Sequence, residues 1–565
     1  MTILSTQKFW NIKRKNSKQQ LLLTEAGVDP VVAQLLINRG IRSVQEVISF
    51  LTSGLDKLHD PFLLKDMRLA VERIKQAKNN KETVLIFGDY DVDGVTSSAI
   101  LYQVLTRWGI RALNHIPHRM DDGYGLNDNI GQFAKQEGVG LIIAVDCGIT
   151  SNKEVDAFNK LGIDIIIFDH HEPSEEGIPK ALAVVDPKRK DCPYPFKKLA
   201  AVGLVAKLVQ AIWPKDLKDY LDLIALGTIA DVVPLYDENR IFVREGLPEI
   251  TKTKNLGLST LLQVAKIHGK KFQPFYAGFV IGPRLNAGGR MESAHRSLNL
   301  LLSKDKQEAL TLAKSLDRLN SERQRLQRNI IQEALSLVEQ QINFNEEKVI
   351  IVSQEGWHKG VLGIVASRIA ETYYRPAIVV SLEDGVGRAS ARSIEGFHLY
   401  DALAHCSNLL DEYGGHKLAA GLTIQEKNIN AFRKKINHFA KDLLEFRDLI
   451  PTITIDCEVP LSSLSLELME KIEQLEPFGE GNPEPLFCSR QVMVKSHPLV
   501  LGKNTLKFWV TDGGRTFSCV GFGMGDYKAL LQKGQKIDIA YQLIIDDWNK
   551  APVVQLKLKD IKLGT

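Results

Sequence analysis

The sequence predicts a multi-domain α/β protein that ends in a small β-domain, and three observations lead to this fold class. From about residue 66, short β-branched runs alternate with helical stretches. A charged helical pattern without proline or glycine covers residues 304–342 and separates two α/β regions. After residue 450 the chain changes to closely spaced short strands. Alternating strands and helices are typical of a parallel sheet with crossover helices, whereas consecutive short strands are typical of a barrel.

Length and composition exclude several classes of protein. The chain of 565 residues suits roughly two to four domains, and its net charge of +4 means that any nucleic-acid-binding surface must be local. The six cysteines form no C-x-x-C pair, which argues against structural zinc and disulfides and predicts a cytoplasmic protein. No apolar signal segment and no run of roughly 20 apolar residues occurs, so we expect no membrane association.

The chain is predicted to contain five segments. Residues 1–65 carry helical apolar spacing and form an N-terminal helical segment. The parallel-sheet domain covers residues 66–300, with strands expected at 83–87, 140–146, 163–169 and 181–186. The remaining segments are a long connector helix, a second α/β domain and a β-domain, at residues 301–345, 346–450 and 451–565. About five strands in the last segment suit an OB-fold barrel.

The stretch GDYDVDG, residues 88–94, raises the question of a calcium loop, because Asp89, Asp91 and Asp93 have the D-x-D-x-D-G spacing. A calcium loop of this kind ends in a glutamate at position twelve, which is Ile100 here. The flanking pattern is strand, turn and helix rather than helix, loop and helix. Helix capping would explain one of the three aspartates but not all of them.

Further acids and two histidines follow other predicted strands or helices. Asp146 ends the second strand, the sequence Asp169-His170-His171 ends the third, and Asp231 follows a helical run. Because ligands bind outside the carboxyl ends of parallel strands, we expect these side chains to converge on one crevice. A lone aspartate or histidine at such a place is more often a cap or a packing residue, so the prediction rests on the joint pattern.

Such a set of carboxylates needs cations, since like charges at close range raise each other's pKa. Carboxylate and imidazole donors suit manganese or similar ions, whereas thiolates would have indicated zinc. Two metal ions roughly 3.5–4 Å apart can activate a water and hold the entering and leaving oxygens of a phosphoryl displacement. The sequence contains neither a P-loop nor an H-E-x-x-H motif, which removes the usual support for nucleotide-driven and zinc-protease functions.

Together these residues resemble the DHH phosphoesterase superfamily. The motifs GDYDVDG, VDCG, FDHH and TIADVVPL look like its four catalytic motifs, and GRASARSIEGFHLYDAL with YGGHKLAAG looks like the DHH-associated domain. Motif order and the appended β-domain are most similar to the bacterial members that degrade single-stranded DNA. The resemblance implies a 5′ to 3′ exonuclease of DNA repair and recombination. It also implies that water held by two Mn²⁺ or Mg²⁺ ions attacks the phosphorus in line.

The resemblance also implies roles for the motif residues. The metal ligands are expected to be Asp91, Asp93, Asp146, His170 and Asp231, with Asp146 as the bridge. His171 is expected to contact the scissile phosphate and to form the catalytic set with Asp91 and Asp146. Many members of the superfamily have a histidine at the position of Phe87, so Asp89 is the expected substitute in the ligand shell.

A nuclease that follows a single strand needs groups for the phosphates and platforms for the bases. The resemblance implies that Ser390 and Arg392, in a predicted glycine-flanked turn, hold the 5′ phosphate. The full predicted set for nucleic-acid binding is Arg119, Arg284, Arg290, Arg388, Ser390, Arg392 and His416. An arginine at any of these positions could equally be a solvated or ion-paired surface residue. Stacking on bases and packing in the core are equally compatible with the aromatic residues of the β-domain, Phe508, Trp509, Phe517 and Trp548.

Two other functions remain open at this point. A DHH phosphodiesterase acting on short oligonucleotides or cyclic dinucleotides would not need the β-domain or the long connector. A non-catalytic DNA-binding scaffold would have lost ligands, yet the set is intact apart from Phe87. We expect a monomer that acts on single-stranded DNA with a 5′ end, with a single-strand-binding protein or a helicase as candidate partners.

Overall fold

The computed structural model describes residues 8–117, 125–126, 128–174, 177–546 and 552–563. The chain divides into two compact units. Unit 1 contains Met1–Thr52, Asn329–Glu476 and Pro483–Thr565, and unit 2 contains Ser53–Arg328 and Pro477–Asn482. Among the described residues, no helix combines the length and the apolar character that crossing a membrane requires.

Between residues 67 and 168, the described part of the chain alternates helices and strands as predicted. The strands are β1 (Phe9–Ile12), β2 (Thr83–Gly88), β3 (Arg111–His115), β4 (Val139–Val145), β5 (Asp164–Phe168) and β6 (Ala183–Val185). The helices are α1 (Ser17–Glu25), α2 (Pro30–Asn38), α3 (Val44–Thr52), α4 (Met67–Asn79), α5 (Val92–Arg107), α6 (Asp128–Gln136), α7 (Asn152–Lys160), α8 (Ala201–Ile212), α9 (Leu221–Ala230), α10 (Asp237–Thr251), α11 (Leu256–Val264), α12 (Pro274–Tyr276), α13 (Gly282–Met291), α14 (His295–Leu302) and the connector α15 (Lys306–Gln341).

Unit 2 is built on a parallel sheet in the order β3-β2-β4-β5-β6. Every residue of β2 is buried, because successive side chains point into cores on opposite faces of the sheet. Val84 and Ile86 belong to one core, and Leu85 and Phe87 belong to the other. Since all five strands run the same way, their carboxyl ends lie along one edge, where the motif residues follow them.

Unit 1 contains the second α/β domain and the β-domain. The strands are β7 (Ile350–Glu355), β8 (Ala377–Glu383), β9 (Val386–Arg392), β10 (Glu412–Gly415), β11 (Ala419–Gln425), β12 (Thr452–Ile455), β13 (Cys457–Glu458), β14 (Phe487–Val494), β15 (Leu499–Leu501), β16 (Thr505–Thr511), β17 (Thr516–Phe522), β18 (Lys536–Asp546) and β19 (Val553–Leu563). The helices are α16 (Leu362–Tyr373), α17 (Leu399–His405), α18 (Ile429–Leu443) and α19 (Leu466–Glu473).

These strands form two larger sheets within unit 1. The first has the order β10-β11-β9-β8-β7, and the second has the order β13-β14-β18-β19-β17-β16-β15 with an additional pairing of β14 with β16. The second sheet curls on itself as an OB-fold does. The predicted architecture is confirmed as a parallel-sheet domain, a long helix, a second α/β domain and a C-terminal β-domain.

Two local expectations differ from the structure. The glycine-flanked turn predicted to hold Arg388, Ser390 and Arg392 is wrong, because these residues lie in strand β9 between β8 and β11. Residues 9–12 of the expected helical N-terminal segment form strand β1, which pairs in parallel with β12. The indole N–H of Trp10 in β1 donates a hydrogen bond of 2.6 Å to Asp560 of β19, which ties β1 to the β-domain. The predicted domain boundaries themselves stay a prediction.

Candidate metal centre and nucleic-acid interface

The first motif forms a tight strand-to-helix turn. Asp91 is the N-cap of α5 and accepts hydrogen bonds from the backbone N–H groups of Asp93 and Gly94, at 2.8 and 3.2 Å. Both bonds go to Oδ1, so the cap engages one carboxylate oxygen. A Cβ on Gly94 would lie 2.4 Å from the carbonyl oxygen of Asp89, and only glycine permits this close approach.

Asp93 is fully buried and fixes a second helix. Its two carboxylate oxygens accept the backbone N–H groups of Ala201 and Val202, each at 2.7 Å. These N–H groups belong to the first turn of α8, which has no other side-chain cap. The carboxylate is therefore held in one orientation by the helix that it caps.

Asp146 follows β4 directly and has a left-handed backbone conformation, with a φ of 64°. Its backbone N–H donates to the carbonyl of Phe168 at 2.9 Å, which extends the ladder between β4 and β5 by one residue. Its buried side chain lies at the carboxyl edge of the sheet, 3.3 Å from Nε2 of His170. A positive φ is uncommon outside glycine, and residues with a strained backbone cluster at functional sites.

Asp169 organises the two histidines that follow it. This buried carboxylate accepts three backbone N–H groups, from Ile149, His170 and His171, at 2.9, 2.7 and 3.1 Å. It also lies 2.7 Å from Nδ1 of His171, which fixes the orientation of that ring. No role was predicted for Asp169 from the sequence. The signal for one is its place at a strand end directly before two histidines.

The structure brings together all six predicted metal ligands. Their donor atoms lie within 4.8 Å of one another in overlapping groups. The groups are Asp89 with Asp91 and Asp146, Asp93 with His170 and Asp231, and Asp146 with His170 and His171. Asp146 belongs to two of them, which fits a residue that bridges two cations. The role of each residue as a ligand stays a prediction.

The carboxylates of these three groups are unfavourable in their ionised form unless a positive charge lies nearby. Burial and the charge of Asp91 raise the pKa of Asp93 to about 7, and burial with the neighbouring aspartates raises the pKa of Asp231 to about 9. The same causes raise the pKa of Asp146 well above its usual value. Burial lowers the pKa of His170 to about 3, which leaves its ring neutral. A divalent cation would stabilise the ionised carboxylates that burial disfavours.

Two buried atoms strengthen the fit to a metal ion. Nε2 of His170 and Oδ2 of Asp231 are inaccessible to solvent and make no hydrogen bond in the described structure, although they lie 3.6 Å apart. Buried polar atoms are normally hydrogen-bonded, so two adjacent buried donor atoms without a hydrogen bond fit the ligands of a cation. Oxygen and imidazole donors at this spacing suit Mn²⁺ or Mg²⁺.

Phe87 lies beneath this centre and takes no part in it. Its ring is fully buried in β2 and stacks on His115 of the neighbouring strand, with 5.5 Å between ring centroids. Asp89 stands two residues further along, in the group with Asp91 and Asp146. This placement supports Asp89 as the substitute for the histidine found in other members of the superfamily.

The predicted strand-binding arginines of unit 2 have different surroundings. Arg284 forms an ion pair of 2.9 Å with Asp317, and it donates to the carbonyl of Val280 at 2.8 Å. This is the ion-paired alternative that the sequence left open for it. Arg290 lies in the last turn of α13, and Arg119 lies outside the described residues.

In unit 1, Arg388, Ser390 and Arg392 point to the same face of β9 because they alternate with buried alanines. Nη1 of Arg392 lies 3.3 Å from Oγ of Ser390. The first turn of α16 lies against them, since a Cβ on Gly363 would be 2.9 Å from Nη2 of Arg392. A serine, an arginine and a helix N-terminus together are a suitable set for a phosphate.

The neighbouring strands leave this face open. Gly421 of β11 is in register with Ser390, and Gly414 of β10 is in register with Gly421. A Cβ on Gly414 would meet no atom within 4 Å, so a strand of nucleic acid could approach the backbone here. His416 is exposed in the hairpin between β10 and β11.

The aromatic residues of the OB-fold divide into core and surface. Phe508 and Phe517 are buried, at 1% and 8% exposure, and belong to the core. Trp509 is 45% exposed on the opposite face of β16 and is the described member of the set that could stack on a base. Trp548 lies outside the described residues.

Comparisons with known proteins agree with this architecture. Three protein-family models match the chain: the DHH family N-terminal domain at residues 83–228, the DHHA1 domain at 346–442 and the RecJ OB domain at 455–560. The single-stranded-DNA-specific exonuclease RecJ of Bacillus subtilis (strain 168) is 37% identical over 562 residues, which cover 99% of this chain and 71% of that protein.

Two solved structures from Thermus thermophilus match along 99% of this chain. The crystal structure of RecJ in complex with Mn²⁺ has a TM-score of 0.84 at 29% identity, and the match covers 80% of that chain. The complex with Mg²⁺ has a TM-score of 0.78 at 27% identity and is covered to 79%. These matches confirm the resemblance that the sequence motifs indicated.

Proposed function

This chain belongs to the RecJ family of single-stranded-DNA-specific exonucleases, and we propose that it hydrolyses single-stranded DNA from the 5′ end with divalent cations as cofactors. The observation that carries the proposal is the convergence of Asp89, Asp91, Asp93, Asp146, His170 and Asp231 at one sheet edge. The 5′ polarity, the use of two ions and a function in DNA repair and recombination rest on the resemblance. The monomeric state, the cytoplasmic location and a single-strand-binding protein or helicase as partner remain predictions.

Each part of the centre contributes separately to hydrolysis. The aspartates and His170 would hold the cations, which when bound supply a Lewis acid and a more acidic water. Asp169 presents His171 to the crevice through the bond to Nδ1, so Nε2 is the ring atom that can face a phosphate oxygen. Although burial opposes it, the bond to Asp169 raises the pKa of His171. The protonated ring can then donate a charge-assisted hydrogen bond to the substrate.

The proposal is tested by digestion of end-labelled DNA. Single- and double-stranded oligonucleotides, each with and without a 5′ phosphate, are incubated with Mn²⁺, Mg²⁺ or a chelator. We expect stepwise loss of nucleotides from the 5′ end of the single strand, no reaction with the chelator, and restoration by added Mn²⁺. Faster turnover of dinucleotides than of long strands, or degradation from the 3′ end, would contradict the proposal.

Arg392→Lys is expected to raise KM for 5′-phosphorylated single strands by about tenfold, with a smaller change for strands that carry a 5′ hydroxyl. Lysine keeps the charge but loses the planar fork that binds two phosphate oxygens. Steady-state kinetics on the two substrates measure the difference. Arg368→Lys, on the exposed side of α16, is the matched control. Equal increases in KM for both substrates would show that Arg392 does not bind the 5′ phosphate.

Trp509→Ala is expected to weaken binding of long single strands by about tenfold without changing stability, because an exposed indole would be lost from a base contact. Phe508→Ala, one residue away on the core side, should instead lower the free energy of unfolding by about 3–5 kcal/mol. Fluorescence anisotropy and urea unfolding separate the two effects. Unchanged affinity of Trp509→Ala for long single strands would show that this tryptophan does not contact the strand.

A further inference from the structure

Phe275 and Phe279 form an exposed aromatic pair in unit 2. Their rings are 58% and 71% exposed and stack on each other, with 5.1 Å between centroids and 23° between planes. Burial of a phenylalanine side chain stabilises a fold, so two stacked rings left in solvent are an unusual surface feature. Paired exposed rings of this kind indicate a binding surface.

The backbone that carries the pair is firmly held. Phe272, Ala277 and Ile281 are buried around it, so the exposed rings stand on a packed segment. Ala277–Ile281 forms a π-helical turn between α12 and α13, a feature that is frequent at functional sites. The carbonyl of Val280 in this turn receives the hydrogen bond from Arg284. The pair is therefore a preformed platform.

The helix that directly follows the platform, α13, passes the segments that carry the predicted metal ligands. A Cβ on Gly282, the first residue of α13, would lie 3.7 Å from Cβ of Ala230, which directly precedes Asp231. At the other end of α13, a Cβ on Gly289 would lie 3.0 Å from the carbonyl oxygen of Tyr90 in the first motif. Helix α13 thus runs past two ligand-bearing segments, over roughly 15 Å for its ten residues. Phe279 precedes it by less than one turn.

The surroundings favour nucleic acid as the occupant. Lys266, Lys270 and Lys271 are exposed in the turn that leads to the pair, and they would attract a phosphate backbone. Gly278 lies between the two aromatic residues, and a Cβ placed on it would meet no atom within 4 Å, which leaves room for a base to approach. Aromatic faces with nearby cations are the usual composition of a single-strand platform.

We propose that Phe275 and Phe279 stack on a base of the single-stranded substrate close to the scissile phosphate, an inference that rests on the proposed function. The pair fixes the register of the strand relative to the metal centre. It recognises the flat face of any base, so it adds affinity without sequence preference.

The test uses the full-length wild-type enzyme, Phe279→Ala, the double variant F275A/F279A and the conservative Phe279→Trp. Substrates are single-stranded oligothymidylates, intact or with one abasic site placed at successive positions from the 5′ end. We expect the double variant to raise KM by about tenfold at nearly unchanged kcat, and Phe279→Trp to retain wild-type KM. One or two abasic positions should weaken binding to wild type about tenfold and leave binding to the double variant unchanged.

Phe446→Ala removes an equally exposed phenylalanine from unit 1, at 75% exposure, and is the matched control. The platform would be overturned by a wild-type KM in the double variant, or by an abasic site that weakens binding equally in both proteins. Neither result would affect the proposed exonuclease function. If the wild-type protein is a dimer that the double substitution F275A/F279A dissociates without a change in DNA affinity, the platform is overturned too. A second copy of the chain would then cover the pair. A wild-type protein that neither binds nor degrades single-stranded DNA would overturn both proposals.

Discussion

Asp91→Asn is expected to lower kcat on single-stranded DNA by roughly a thousandfold or more, while the Kd for the strand changes by less than about threefold. Asparagine can still accept the N–H groups of Asp93 and Gly94, so the cap of α5 is retained. The substitution therefore removes the charge that a cation needs and leaves the helix in place. Single-turnover kinetics measure the rate, and fluorescence anisotropy measures binding.

Asp29→Asn provides the matched control for that substitution. Asp29 caps α2 by accepting the N–H groups of Val31 and Val32, in the same manner as Asp91 caps α5, but in unit 1. Its replacement should leave kcat unchanged. Near-normal hydrolysis by Asp91→Asn would show that this aspartate does not bind an essential metal ion.

Asp169→Asn is expected to lower kcat by about a hundredfold or more and to change its pH dependence. An amide cannot stabilise the imidazolium of His171 as the carboxylate does, so the pKa of that histidine should fall. Since the protonated ring is the proposed hydrogen-bond donor, the alkaline limb of the kcat profile should move to lower pH. Steady-state rates across pH, together with calorimetric titration of Mn²⁺, separate this effect from loss of metal.

Asp222→Asn controls for the removal of a buried carboxylate. Asp222 lies at the first turn of α9, at the opposite end of that helix from Asp231, and contacts Thr253 rather than a histidine. Its substitution should leave the alkaline limb in place. An Asp169→Asn profile that matches wild type in height and shape would exclude the orienting role of Asp169.

The convergence of the acids and histidines could be predicted from the sequence because it follows from the topology of the sheet. In a parallel sheet all strands end at one edge, so aspartates that follow β2 and β4 and the histidines that follow β5 have to meet there. The long helix α15 could also be predicted, because its segment contains neither proline nor glycine. The helix follows from the pattern of one segment, and the convergence follows from a general property of parallel sheets.

Contacts between distant segments could not be predicted in this way. Nothing near Asp93 in the sequence indicates that its partners are Ala201 and Val202, and nothing near Arg284 indicates Asp317. The wrong turn around Ser390 has a different cause. The flanking glycines were interpreted as turn formers, although the alternation of arginine and serine with alanine is typical of a half-buried strand.

The double attachment of Asp93 links catalysis to folding. One carboxylate both caps α8 and belongs to the predicted metal set, so the cations and the helix share a single buried charge. By thermodynamic linkage, ions that bind the folded centre must raise the free energy of unfolding of unit 2 as their concentration increases. Without metal, repulsion among the carboxylates would then weaken the docking of α8. The abundance of the enzyme in a cell, and not only its rate, would depend on the supply of divalent cations.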